Sequence, residues 1–225
     1  MSAEDVIAID GPAASGKSTV ARRVAEELGR LYVDSGSLYR AVTWRTLEDG
    51  GSGEDPAAVT RSLEKCRPEF FADGNRVGFR LGGRLLDREL RTERINRHVS
   101  PVAAQTAVRQ RVVAWLRGLS GFGKLVMEGR DIGTAVFPGA RHKFYLDASP
   151  AERARRRHRE ISEGGPCGEE VHKVGLALQR RDKIDSTRKK DPLRVAPDAV
   201  VVDSTDLTID EVVNSIIETV RRNEC

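Results

Sequence analysis

The chain has 225 residues, 39% of them hydrophobic and 32% charged, with a formal net charge of +4. That length allows one core with an excursion and is short for two independent domains, and the fractions are those of a soluble globular protein. No apolar run reaches the roughly 18–20 residues of a membrane-spanning helix, the three cysteines and four histidines are too scattered for a metal cluster, and the small positive surplus lacks the aromatic-interleaved basic stripe of a nucleic-acid binder. The polar, acidic start Met1 to Asp5 carries no signal-peptide pattern. Together with the sparse cysteines (Cys66, Cys167, Cys225) this predicts a reducing, cytoplasmic setting.

The elements follow in order. Val6 to Ile9 reads as a buried strand that ends at Asp10 and runs into Gly11-Pro12-Ala13-Ala14-Ser15-Gly16-Lys17-Ser18. Thr19 to Leu28, with Val20, Val24 and Leu28, has helical spacing. Leu31-Tyr32-Val33 is a second strand, and Ser35 is placed to cap a helix through Leu38, Val42 and Leu47. Gly50 to Gly53 is a loop and Pro56 to Lys65 a short helix. Val77 to Leu81 and Arg84 to Leu86, split by Gly82-Gly83, read as a β-hairpin. Inside a βα pattern it predicts an inserted subdomain, at about 63–98, rather than another parallel strand. Ser100-Pro101 is placed to open the longest helix, with Ser at the N-cap and Gly118 at its end. Leu125 to Met127 and His142 to Leu146 are the third and fourth strands. Ser149-x-x-Glu152 is a capping box before an arginine-rich helix, broken at Gly164-Gly165-Pro166. A helix over 169–183, a fifth strand at Ala199 to Val202 and a helix opened by Thr208-x-x-Glu211 complete the chain. Alternating strands and helices predict an α/β fold, a parallel sheet covered on both faces, with its ligand at the carboxyl ends of the strands.

Three groups beyond the glycine loop gather at those ends. The loop itself matches G-x-x-x-x-G-K-[ST], between the strand and helix that the pattern requires. Its backbone N–H groups would curl around phosphates, Lys17 would reach the β/γ-phosphates, and the Ser18 hydroxyl would bind Mg²⁺. Asp34 to Arg40 adds a hydroxyl, a helix start and an arginine, or is simply a capped helix with a solvated Arg. Glu128-Gly129-Arg130-Asp131 ends an apolar strand in a carboxylate that can orient Mg²⁺ through water, or is a turn with an internal ion pair. The third group is basic: Arg153, Arg155, Arg156, Arg157 and Arg159, then Arg180 to Arg188. Arg153, Arg156 and Arg157 share a face at i, i+3 and i+4, and are the functional subset over a transferring phosphoryl group; the others fit a solvated face. The protein-kinase H-R-D loop and the GTPase N-K-x-D motif are absent.

In this order, IDGPAASGKST, YVDSGSLYR, MEGRDIGTAVFP and RDKIDSTRKKDPL resemble the bacterial cytidylate (CMP) kinase family, from about Val6 to Val220. The resemblance implies a single P-loop kinase domain, 1–225, with a five-stranded parallel sheet. Its core would be 1–62, 99–150 and 186–225, its CMP-binding insert 63–98, and its arginine-bearing lid with the following helix 151–185. By position it implies that Gly11, Pro12, Ala13, Ala14, Ser15, Gly16, Lys17, Ser18 and Thr19 bind ATP. Ser35, Arg40 and Arg130 would hold the CMP phosphate; Ser100, Arg109 and Asp131 would read cytosine; Arg181, Asp185 and Arg188 would line the ribose and phosphate side. Lys17, Arg130 and the three lid arginines are the catalytic candidates, with Ser18 and Glu128 toward Mg²⁺. The implied activity is transfer of the γ-phosphoryl of Mg·ATP to CMP or dCMP by a monomer, with no nucleic acid or membrane involved. Other readings of a P-loop remain open here: a kinase of another small metabolite such as shikimate or dephospho-coenzyme A, or a nucleotide-switched binding protein or nucleic-acid ATPase.

Overall fold

The computed structural model describes residues 5–162 and 168–224. The break expected at Gly164-Gly165-Pro166 lies outside them. The strands are β1 (Val6–Asp10), β2 (Leu31–Asp34), β3 (Pro68–Asp73), β4 (Arg76–Leu81), β5 (Arg84–Leu85), β6 (Leu125–Gly129), β7 (His142–Asp147) and β8 (Val200–Asp203). The helices are α1 (Lys17–Glu27), α2 (Ser35–Glu48), α3 (Pro56–Lys65), α4 (Glu93–Ala104), α5 (Thr106–Gly118), α6 (Pro150–Ser162), α7 (Gly168–Thr187) and α8 (Ile209–Glu224).

Five strands pair in parallel in the order β2-β6-β1-β7-β8. Both faces are covered, which is why β1 is apolar almost without interruption and all five of its residues are buried. Alternation sends Val6 and Ala8, with Leu125 and Met127, toward α2, α4 and α5. Ile7 and Ile9, with Val126, Phe144 and Leu146, face α1 and α8. Each such side chain taken fully out of water contributes on the order of 1.5–3 kcal/mol.

Four expectations change. The hairpin is not separate from the sheet: β4 pairs parallel with β2 at Tyr32 and Arg76, while β3 and β5 flank β4 antiparallel. Gly82 and Gly83 both have positive φ, 57° and 74°, as the tight turn between β4 and β5 needs. Ser35 is not a cap but the first residue of α2; Asp34 is extended and its carboxylate accepts from Ser37 N–H at 3.2 Å. Ser100-Pro101 does not open a helix but sits inside α4, which Thr92 caps through Ile95 N–H at 3.3 Å. The chain leaves the helix only at Gln105, and α5 begins at Thr106. The apolar spacing Ile95, Val99, Val102 carries α4 through the proline. At α6, Ser149 Oγ accepts from Glu152 N–H at 3.3 Å, but Glu152 turns to Arg155 and Arg156 instead of closing the box. The box at Thr208 and Glu211 does close, with Thr208 N–H to Glu211 Oε2 at 2.8 Å.

Candidate active site

β1 delivers the chain to a loop shaped by two glycines. Gly11 passes so close to β7 that a Cβ there would lie 2.0 Å from the Leu146 carbonyl oxygen. Gly16, at φ +92°, is the N-cap of α1; it has no side chain to cap with, so the first-turn N–H groups are left for an anion. Ala14 between them holds φ +60°, which an L-residue adopts only under constraint. Lys17 is buried, and its Nζ donates to the Pro12 carbonyl at 2.5 Å and to Ser15 Oγ at 3.1 Å. Burial, and then the nearby Arg130 charge, pull its pKa down to about 7. Ser18 Oγ donates to Glu128 Oε1 at 2.5 Å, and Tyr32 reaches the same oxygen at 3.3 Å. Burial, then Asp34, raise the Glu128 pKa.

Across the cleft stands a buried carboxylate between two guanidiniums. Asp131 Oδ2 pairs with Arg109 Nη2, and Asp131 Oδ1 lies 3.3 Å from Arg188 Nη2. Arg109 is wholly buried, its guanidinium 5.3 Å from the Tyr39 ring centre. Ser100 lines the same recess from the last turns of α4. Between this recess and the glycine loop, Arg40, Arg130 and Arg181 converge. Arg40 Nη1 donates to Asn96 Oδ1 at 2.5 Å and Arg130 Nε to Asp185 Oδ2 at 3.1 Å. Burial, then Arg130 and Arg40, bring the Arg181 pKa down to about 9, and its Nε has no hydrogen-bond partner among the described residues. Such a group favours an arriving anion. Gly129 lets β6 end against α2: a Cβ there would sit 2.6 Å from Ser35 Oγ.

The three arginines chosen for their shared face separate. Arg157 lines the cleft and pairs with Glu160 at 2.6 Å. Arg156 lies behind the loop, donating to Ser204 O at 2.5 Å and Ser15 O at 3.4 Å. Arg153 is buried there too, against Asp182 and the Ala13 carbonyl. Ala13, Ala14, Gly16, Lys17, Ser18 and Thr19 line the cleft, whereas Gly11, Pro12 and Ser15 shape the loop from behind.

Three acidic residues at the site did not stand out in the sequence as functional. Asp10 accepts from Ile132 N–H and Gly133 N–H, both at 2.8 Å, anchoring the wide turn that follows Asp131. Burial raises its pKa to about 7, against the pull of those two bonds. Its one signal was a charge closing a fully apolar strand. Asp191, at φ +49°, accepts from Arg109 Nε at 3.1 Å and, through its carbonyl, from Arg188 Nε at 2.7 Å. An Asp-Pro pair marks a turn, but not the partners it holds. Asp182 accepts from Ala13 N–H at 3.1 Å.

The cytidylate kinase family profile matches residues 7–222. The chain is 44% identical to the cytidylate kinase of Geobacillus kaustophilus, over 95% of either chain. It is 43% identical to that of Mycobacterium avium, over 99% of this chain and 97% of the other. It is also 42% identical to the bifunctional pantoate ligase/cytidylate kinase of Prochlorococcus marinus, over 98% of this chain but 44% of that protein. The chain thus spans less than half the length of that relative. Among the described residues, no helix is long and apolar enough to cross a membrane.

Proposed function

The chain belongs to the cytidylate kinase family, and from that premise we propose that it transfers the γ-phosphoryl group of ATP to CMP and dCMP, giving ADP and CDP or dCDP. One observation carries the reading: a single cleft joins a phosphate-binding loop, a convergence of guanidiniums, and a buried pair that offers both a carboxylate and a guanidinium edge.

Each part suits one piece of the substrates. The loop amides and Lys17 take the ATP phosphates. Arg40, Arg130 and Arg181, with Ser35, take the CMP phosphate. Asp131 can only accept, so it fits the cytosine N4 amine; Arg109 can only donate, so it fits N3 or O2; Ser100 can do either. Asp185 and Arg188 brace this side. A CMP phosphate oxygen attacks the γ-phosphorus, the bond to the β–γ bridging oxygen breaks, and ADP leaves. The nucleophile is already anionic, so the protein supplies position and positive charge rather than a base. Arg157 at the cleft edge adds charge near the equatorial oxygens. Arg153 and Arg156 hold the loop in shape. The Ser18 hydroxyl and Glu128 carboxylate are hard oxygen donors that suit Mg²⁺, the carboxylate through water. Bound with ATP, that ion would neutralise charge on the β- and γ-phosphates. The enzyme would act as a cytoplasmic monomer on free nucleotides, with no nucleic acid or membrane.

The test is ADP formation from Mg·ATP with CMP, dCMP, UMP, AMP, GMP and shikimate as acceptors. CMP should exceed UMP by roughly two powers of ten in kcat/KM, since uracil puts O4 against the carboxylate and N3–H against a cation. Absence of CMP-dependent ADP formation overturns the reading, and phosphate release stimulated by RNA or DNA replaces it with an ATPase.

A further inference from the structure

One residue of the phosphate loop has both its backbone polar groups held by a side-chain pair from outside the loop. Ala13 N–H donates to Asp182 Oδ1 at 3.1 Å. Asp182 Oδ2 pairs with Arg153 Nη1, and that nitrogen also donates to the Ala13 carbonyl at 3.2 Å. Arg153 Nε is fixed in turn by the Ala148 carbonyl at 3.1 Å. The ring closes over the residue just before Ala14, where φ is +60°. Asp182 stands on α7 and Arg153 on α6, so two helices meet at one peptide of the loop.

The same helix faces the other substrate. Arg181 precedes Asp182 and lies among Arg40, Arg130 and Arg157. Asp185, less than one turn on, pairs with Arg130 and lies 3.8 Å from Arg188. Within one helical turn, α7 thus touches the donor loop and the acceptor cleft. Packed helices move as units, so residues 181, 182 and 185 shift together.

We infer that Asp182 is a positioning residue that, through Arg153 and Ala13, couples occupancy of the acceptor cleft to the shape of the phosphate loop. The inference rests on the two-substrate reading above. An acceptor phosphate drawn between Arg130 and Arg181 sets α7, and Asp182 sets the loop; by reciprocity, a nucleotide in the loop sets α7 for the acceptor.

Calorimetric titration of CMP into the full chain, with and without a non-hydrolysable Mg·ATP analogue, measures this. In the unmodified protein the analogue should tighten CMP binding at least about fivefold. In Asp182→Asn, which offers Ala13 and Arg153 one acceptor oxygen instead of two, the factor should fall to within about twofold of unity. Arg153→Met with Asp182→Leu removes both charges together and leaves no buried ion unpaired, so it should fold and show the same loss. An unchanged factor in these variants, or a factor of one in the unmodified protein, overturns the inference. Turnover separates the two readings. A protein that phosphorylates CMP while its variants keep the coupling loses only this inference; one that shows the coupling without phosphate transfer loses only the proposed activity.

Discussion

At the scale of the residue, the site is a set of charges kept in unfavourable places. Lys17 has an ordinary pKa of 10.5 and a folded one of about 7. Between those values the unfolded chain binds a proton that the folded chain does not, so this group makes stability rise with pH above 7. Asp10 runs the other way: its folded pKa of about 7 lies above its ordinary 3.8, so stability falls as pH climbs through that window. The two place a minimum near pH 7 in the nucleotide-free protein. Lys17→Met should abolish the rise between pH 7 and 10, measured by chemical denaturation at each pH, and lower kcat by orders of magnitude. A parallel rise in both proteins would show that Lys17 is not its source. On the proposed reading, Asp131→Ala should reduce kcat/KM for CMP sharply and for UMP far less, because the contact assigned to Asp131 is one that uracil cannot make. Equal losses would make Asp131 a brace for Arg109 and Arg188 rather than a reader of the base. The motifs point to Lys17, Arg130 and Asp131, and all three line the cleft. They do not point to Asp10, Asp182 and Asp191, because each acts on a backbone group or guanidinium far away in sequence, and a single chain records no such pairing.

At the scale of the element, legibility followed local chemistry. α3 was readable to the residue, since Pro56 stands at its start and Lys65 in its last turn. The β4–β5 turn was readable from two glycines. β3 was not, because its half-exposed Pro68-Glu69-Phe70-Phe71 run shows no clean alternation. Ser100-Pro101 misled because a serine before a proline is good chemistry for a helix start, and here the packing of Val99 and Val102 outweighs it. The consequence is measurable. Thr92→Ala removes the actual cap and should cost about 1 kcal/mol of unfolding free energy. Ser100→Ala should cost much less stability and act mainly on CMP affinity. A larger stability loss from Ser100→Ala than from Thr92→Ala would restore Ser100 as the cap.

At the scale of the whole molecule, strand order places β1 in the middle of the sheet, between β6 and β7, with Val6 against Leu125 and Ile7 against His142. β1 is therefore made well before either of its neighbours and can pair only once residues 125–129 and 142–147 exist. Until β6 emerges, β1 has neither neighbour, and the glycine loop has no Leu146 carbonyl to lie against. Long-range parallel pairing of this kind makes folding slow and leaves apolar strands uncovered for longer. A ribosome-stalled chain ending near residue 120 should be cut readily by protease and should not be protected by Mg·ATP, whereas one released past β8 should be. The glycine loop, whose whole motif is written between Gly11 and Ser18, thus takes its shape only when strands made far later in the chain arrive beside it.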